Sequence, residues 1–537
     1  MIDFKILDCT LRDGGYYNDW DFNGEVLTNY LNAIAESGIE YVELGLRNFP
    51  KGGFLGAFAY TTDRYINTID LPDGPTYGVM VDAKTILNSD MSVELAIDSL
   101  FADAADSKVS LVRVAAHFGE VEASGPIVKR LKEKGYIVGY NLMQAGGKPT
   151  EVIAEKARIA ASWNVLDVLY FADSLGNMDA DEVRRIVKTL RTEWHGELGI
   201  HTHNNMAKAL DNCLAAKHAG VTWLDVTITG MGRGAGNAQT ENLLAVVSQE
   251  TGRYQPKSIY ELAIRDFEPM QKKYGWGSNL LYFIGAQHNV HPTYVQNLLS
   301  DTHYGPDEIV GVVKYLSYLN NSESYSDETY AASLMFSAAS SEISGSNALA
   351  GSAKGKNVVI LASGPSLFRY KKDIETYLSA LSEDSLVIAI NTLIDFEQYI
   401  DYYCLSGNSK MLSQSGDYSS LGKPIILPAH RFSTEELAGI KANGQIFDYG
   451  VEVKSDTFLA GESNCILPYD ITAGYLFALC ESMQATQVKL IGFDGYSSGD
   501  SRQSEMIEIF SKVNSAHYTA LTPTTYPISQ GSIYGEI

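Results

Sequence analysis

An α/β protein in two parts is what the sequence predicts, on three observations. Between residues 4 and 229 short β-branched runs alternate with amphipathic stretches eight times over, a serine-, alanine- and glycine-rich interval occupies 320–356, and a strand–turn–helix pattern starts afresh at Asn357. Eight strand-and-helix repeats suit a closed (β/α)8 barrel, the TIM barrel, better than an open sheet, because only the barrel has a geometric reason to stop at eight.

The strands are read at 4–9, 41–46, 76–81, 111–117, 137–143, 166–173, 198–203 and 223–229, and the stretches 24–37, 121–134, 150–163, 179–194 and 206–219 carry apolar residues at helical spacing. The barrel is placed at 1–255, and a helical extension at 256–319 has the apolar segment NLLYFIGAQHNVHPTYVQNLL at its centre. His288 and His291 in that segment read as polar packing. A linker at 320–356 and a Rossmann-like α/β domain at 357–537 complete the organisation.

A chain of 537 residues is long enough for two or three domains with full cores, and 45% hydrophobic with 20% charged residues describes a soluble globular protein. Forty-one basic against 65 acidic residues leave a net charge of −24, which opposes a general role on nucleic acid or anionic membranes. Cys9, Cys213, Cys404, Cys465 and Cys480 lack CxxC spacing, so neither a disulfide framework nor a structural zinc site is indicated and a reducing cytoplasm is expected. The first residues are charged and turn at once into strand, which leaves no room for a signal peptide, and no apolar run approaches membrane-spanning length.

Chemistry concentrates where a barrel puts it, at the carboxyl ends of strands. Arg12 and Asp13 are expected to end the first strand, ahead of Gly14 and Gly15. Arg113 and His117 lie on the fourth strand, and Asp173 and Ser174 close the sixth. His201 and His203, two apart, point to one side of the seventh. Two imidazoles and one carboxylate suit a divalent metal with positions left open for water or substrate. The first, seventh and eighth strands are neighbours in a closed barrel, so Asp13, the histidine pair and the glycine-rich TGMGRGAGNAQTE would converge. Those glycines also suit a simple tight turn, with Asn237 capping the next helix.

The segments DCTLRDG, GGFLGAFAYTTDRYI, VRVAAH, YFADSLGNM, GIHTHNN and GMGRGAGNA, in this order over about residues 1–250, resemble the metal-dependent aldolase and acyl-lyase superfamily of hydroxymethylglutaryl-CoA lyase and isopropylmalate synthase. Within it, the sequence is similar to 4-hydroxy-2-oxovalerate aldolase. The resemblance implies that Asp13, His201 and His203 hold Mn²⁺ or Mg²⁺, with Asn237 a further candidate ligand, and that Arg12 stabilises an enolate. It places Ser174 near a pyruvate carboxylate. It implies a small 2-oxo acid and an aldehyde as partners, with a homo-oligomer allowed. Tyr16 stands where the aldolases carry a histidine base, and with an unperturbed pKa near 10 it would need help from the metal or Arg12 to accept a proton at neutral pH. Either Tyr16 relays the proton, another residue does, or the substrate differs. The family's tail tyrosine does not map cleanly, since Tyr282 is shifted from it. Two other readings use the same barrel: a Claisen-type synthase working on an acyl-CoA, and an assembly protein without catalysis.

In the second half, NVVILASGPSLFRY is a strand running into Gly364, Pro365 and Ser366 and then a helix, a natural anion site without P-loop or GxGxxG spacing. Strands are also read at 386–391, 425–427 and 488–493. The SGPSL turn, AINTLI and the ITAGY to GFDGY block resemble the Rossmann-like domains of bacterial sialyltransferase-type enzymes. That resemblance would put Gly364, Ser366, Asn391 and Thr472 against a nucleotide sugar and make His517 a transferase base. A Rossmann-like interaction module without catalysis is the alternative.

Overall fold

The computed structural model describes residues 4–301, 304, 306–319, 321–335, 343, 345–391, 393–407, 422–432, 437–438, 440, 445–497 and 500–535. The chain divides into two compact units, Met1–Gln296 with Asn321–Ser324, and Asn297–Asn320 with Tyr325–Ile537. The division falls within the stretch read as a helical extension. The linker expected at 320–356 lies partly outside the described residues, and inside it a helix spans Asp327–Met335.

In the first unit eight parallel strands close into a barrel: β1 Lys5–Asp8, β2 Tyr41–Leu46, β3 Thr76–Asp82, β4 Leu111–Ala116, β5 Ile137–Leu142, β6 Val168–Asp173, β7 Glu197–Thr202 and β8 Trp223–Val226. β1 pairs with both β2 and β8, with Leu7 opposite Tyr41 and Asp225. Side chains alternate across each strand. Val112, Val114 and Ala116 of β4 and Leu169 and Phe171 of β6 join the large core between sheet and helices. The intervening Leu111, Val168 and Tyr170 pack inside the barrel with Leu7, Cys9 and Trp223.

Barrel interiors fill in layers contributed by alternate strands. Here one layer comes from the even strands: Glu43 of β2, Arg113 of β4, Tyr170 of β6 and Asp225 of β8, all buried, with the Arg113 guanidinium 4.8 Å over the Tyr170 ring. Neighbouring odd strands make room with small residues. A Cβ on Gly199 of β7 would stand 2.2 Å from the Tyr170 ring.

The strand carrying the DCTLRDG motif stops earlier than the sequence suggested. Asp8 takes the Thr10 backbone amide at 2.9 Å and the Thr10 hydroxyl at 2.6 Å. This turn ends the strand, and Thr10–Asp13 forms one helical turn in which Arg12 and Asp13 sit. Tyr30 and Thr240 also donate to the Asp8 carboxylate, each at 2.6 Å, so the turn is tied to two later helices.

The second unit is a parallel α/β domain. Its strands are β9 Asn357–Leu361, β10 Ser385–Ile390, β11 Tyr402–Cys404, β12 Ile425–Leu427, β13 Ile446–Asp448, β14 Gly450–Val453, β15 Leu459–Ala460, β16 Asn464–Leu467, β17 Gln487–Ile491, β18 Tyr518–Ala520 and β19 Ser529–Gln530. The main sheet runs β13-β12-β11-β10-β9-β17-β18-β19, and β14, β16 and β15 form a small second sheet. Strand order reverses between β9 and β17, the switch point of a doubly wound sheet. The apolar helix Thr472–Ser482 is buried along almost its whole length against one face.

Gly199→Ala should lower the midpoint of the barrel's denaturant unfolding transition by an amount equivalent to about 1–3 kcal/mol, the usual cost of overpacking a filled core. An unchanged midpoint would mean that Tyr170 and Arg113 can shift, and that the layer is not tightly filled.

Candidate metal centre and active site

Six buried side chains close a ring at the carboxyl mouth of the barrel. Arg12 Nη1 donates to Asp13 Oδ1 at 2.7 Å, and Arg12 Nε donates to Glu43 Oε2 at 2.7 Å. Arg113 grips Glu43 with two bonds of 2.7 Å and reaches Asp225 Oδ2 at 2.5 Å. Asp225 Oδ2 meets His201 Nδ1 at 3.0 Å, and His201 Nε2 faces Asp13 Oδ2 at 3.3 Å, which closes the circuit. The ring joins the turn after β1 to β2, β4, β7 and β8.

His203 stands beside it, its ring 5.1 Å from that of His201 and nearly perpendicular. Asp13, His201 and His203 each offer a ligand atom, all within 4.8 Å of one another. Arg12 Nη2, His203 Nδ1 and Asn237 Oδ1 are buried without hydrogen-bond partners, an expensive condition unless something else satisfies them. An acid, two imidazoles and a free amide oxygen are a donor set that suits a divalent cation. Cys9, His201 and Asp225 also lie close together. However, burial pushes the Cys9 thiol well above its ordinary value and Asp225 is committed to Arg113 and His201, so the first group is the better cation site.

The protonation states follow from the packing. Burial alone would raise the Asp13 carboxyl, but Arg12 and His201 overcome it and hold Asp13 well below the usual carboxylate range. Burial works against a charge on His201, yet its contacts with Asp13 and Asp225 raise its pKa. His203 moves the other way, well below an ordinary imidazole, through burial and the neighbouring His201. Its imidazole is therefore neutral at neutral pH. With Nδ1 turned to Asp225, His201 presents Nε2 to Asp13 and the cation position.

The glycine loop supplies Asn237. Its side-chain amide donates to Asp13 Oδ2 and its backbone pairs with His203. It does not cap the following helix, Thr240–Thr251, which has Gln239 at its N-cap position. The loop closes on itself so tightly that a Cβ on Gly236, whose φ is +76°, would lie 1.8 Å from the Gly230 carbonyl. Tyr17 donates to the Gly234 carbonyl at 2.6 Å and meets the Tyr282 hydroxyl at 3.2 Å, while Gln296 accepts from the Gly234 amide at 3.0 Å. Tyr282 thus supports the loop.

The remaining sequence-predicted residues lie around and away from this centre. Tyr16 is 39% exposed, its ring edge-on to Trp20 and under the Arg233 guanidinium. Partial desolvation raises its phenol despite Arg233, so the hydroxyl stays protonated at neutral pH. The Ser174 hydroxyl is buried and accepts from the Gln144 amide at 3.0 Å. In the second unit the amide and hydroxyl of Ser366 both donate to Asp494, at 3.1 and 2.7 Å. An internal carboxylate thus sits where the SGPSL turn was expected to offer amides to an anion. Asn391, with φ +59°, follows β10, and Thr472 shares a hydrogen bond of 2.7 Å with Ser406. His517 lies in a short 3-10 turn, 3.3 Å from the Asn514 side chain. Sequence reading missed Glu43 and Asp225 and gave Arg113 no role. The available signal was a lone charged residue inside each of VELGL, LVRVAA and WLDV.

A closed barrel with one carboxylate and two imidazoles placed to share a cation beside a fixed arginine is compatible with a metal-dependent carbon–carbon lyase. Comparison with known proteins agrees. The HMGL-like family profile matches residues 83–263. A 4-hydroxy-2-oxovalerate aldolase of Pelotomaculum thermopropionicum is 32% identical over 276 residues, covering 50% of this chain and 78% of that protein. One of Brevibacillus brevis is 30% identical over 261 residues, covering 46% and 70%. An oxaloacetate decarboxylase of Mycobacterium tuberculosis is 29% identical over 247 residues, covering 45% and 70%. Through its first unit the chain is a member of the HMGL-like family, with the 4-hydroxy-2-oxovalerate aldolases among its homologues. Among the described residues no helix is long and apolar enough to cross a membrane.

Asp225→Asn keeps the shape of the ring but removes the charge that orients His201 and offsets Arg113. Affinity for a divalent cation, measured by titration calorimetry, should fall by about 10- to 100-fold. Unchanged affinity would show that Asp225 does not orient the ligand.

Proposed function

We propose that the first unit is a divalent-metal-dependent aldolase that makes or breaks the carbon–carbon bond next to a 2-oxo acid through a pyruvate enolate. The observation that carries this reading is the convergence of Asp13, His201 and His203 on one point, beside an Arg12 guanidinium whose Nη2 is buried and left unpartnered. Mn²⁺ or Mg²⁺ held by Asp13, His201, His203 and Asn237 would supply Lewis acidity to the keto oxygen. Arg12 donates Nη2 to the oxygen that becomes the enolate. Because Asp13 and Glu43 already fix its other nitrogens, it need not reorganise as charge develops. Ser174 borders the 2-oxo acid carboxylate. Tyr16, whose phenol stays protonated at neutral pH, delivers a proton to the aldehyde oxygen in the joining direction. The partners are a small 2-oxo acid and an aldehyde. A Claisen-type synthase on an acyl-CoA would be distinguished by release of free CoA, and a non-catalytic barrel by metal binding without turnover.

For the second unit we propose a nucleotide-sugar site at the carboxyl edge of the sheet, bordered by Gly364, Ser366, Asn391 and Thr472. The support is their position around the switch point, where doubly wound sheets take ligands. Asp494 at the SGPSL turn suits ribose hydroxyls better than phosphate. CMP or another nucleotide from a panel should raise the unfolding temperature by mass action, and a panel without effect would favour an interaction module.

Asp13→Asn and His201→Ala should each abolish metal-dependent pyruvate release from a 4-hydroxy-2-oxo acid, and chelation should do the same to the unaltered protein. Activity that survives both substitutions, or is indifferent to chelator, removes the mechanism. Arg12→Lys should lower kcat by about 10²- to 10³-fold, the usual cost of losing one preorganised oxyanion donor.

A further inference from the structure

A cavity of about 370 Å³ lies on the side of the barrel mouth made by the carboxyl ends of β3, β4 and β5. Its polar lining includes Lys51, Asp82, Lys84, Asn88, His117 and Glu120. Its floor is apolar. Ala115 and Met143 line it and belong to a small cluster with Leu46, Met80 and Trp20. The Trp20 indole packs against that cluster and donates to the Arg12 carbonyl at 2.8 Å, which links the apolar side of the cavity to the turn that carries Arg12. Small-molecule pockets of this volume are ordinary, but they are mostly apolar with a few polar groups. This one is unusual in that seven of its nine lining residues carry polar or charged side chains.

The charges decide what it takes. Two lysines and two carboxylates balance, which disfavours a phosphorylated or carboxylated ligand. Neither lysine is in an ion pair among the described residues, and Lys84 and Asn88, four apart across one helical turn, share a face. Asp82 already accepts from Asn48 at 3.0 Å and Glu120 from the His117 amide at 2.9 Å, which positions both acids and leaves each with spare acceptor capacity. Burial lowers the pKa of His117 and keeps the imidazole neutral, so it can both donate and accept. Donors and acceptors of both kinds in balanced charge are what a chain of neutral hydroxyl groups needs, since each hydroxyl both donates and accepts.

We infer that the aldehyde substrate is a neutral polyhydroxylated aldehyde, an aldose in its open-chain form, whose hydroxyl-bearing tail occupies this cavity. The inference rests on the aldolase reading above and names its second substrate. In the joining direction C3 of pyruvate loses a proton and bonds to the aldehyde carbon, and the former carbonyl oxygen gains a proton. The product is a 4-hydroxy-2-oxo acid with a polyol tail. The sum is an addition, with nothing oxidised, reduced or released.

The test uses the full chain loaded with Mn²⁺, given pyruvate and a panel of propanal, neutral aldoses of three to seven carbons, and their terminal phosphates. The expected result is kcat/KM for at least one neutral aldose about tenfold or more above propanal, because a site built to bond hydroxyls rejects an analogue without them. Lys84→Met and Glu120→Gln should each reduce that aldose-to-propanal ratio by about tenfold or more. Preference for propanal, or for a phosphorylated aldose, overturns the inference. Deuterium uptake into the pyruvate methyl group in D₂O, without any aldehyde, separates the two levels. Uptake with propanal preferred sinks the aldose assignment alone, whereas no uptake sinks the aldolase reading and the assignment with it.

Discussion

The structure depends on a closed circuit of buried charge. Asp13, Arg12, Glu43, Arg113, Asp225 and His201 each contact the next, and none can be removed without stranding a neighbour in a medium that solvates ions poorly. Such a ring is weak evidence for stability, since an apolar core of equal volume would serve as well. It is stronger evidence for a task. Three carboxylates face two guanidiniums, so one negative charge is left over, and either a proton on His201 or a cation beside Asp13 offsets it. The raised pKa of His201 is a sign of that imbalance.

Barrel geometry makes the circuit possible. Layering by alternate strands brings Glu43, Arg113 and Asp225 to one level inside the barrel, far apart though they are in sequence. The layer in turn fixes the groups at the mouth: Glu43 holds Arg12, and Asp225 holds His201. Rigidity at the mouth is thus inherited from a filled interior in which Gly199 yields its volume to Tyr170. The glycine loop completes the site from the other side, with Asn237 bridging to Asp13.

Much of this was legible in the sequence. The eight barrel strands fall within a few residues of their predicted positions because each is a buried β-branched run bounded by clear helical periodicity. Asp13 and the histidine pair stood out because charged and imidazole side chains at strand ends have few structural uses. Glu43 and Asp225 did not stand out, since a single acid inside an apolar strand looks the same whether it faces a layer partner or bends out to solvent, and only closure of the barrel tells the two apart. In the second unit β12 was legible at three residues because Ile425–Leu427 is wholly apolar, whereas β11, β13 and β18, equally short, mix in polar or aromatic residues and show no period. The SGPSL turn looked like an open anion seat because the residue that fills it, Asp494, arrives from the far end of the domain.

The support of the glycine loop changes where the catalytic module ends. All eight strands are complete by Val226, and the helix after the last of them ends at Thr251, so the chain could seem divisible soon afterwards. Yet Gly234 is held through Tyr17 and Tyr282 and directly by Gln296. A protein cut near residue 255 would retain every barrel strand and every candidate cation ligand, and still leave the loop that carries Asn237 without the support of Tyr282 and Gln296. On the proposed reading the catalytic module therefore extends to Gln296, and the helices beyond the barrel help to hold the loop that borders its site.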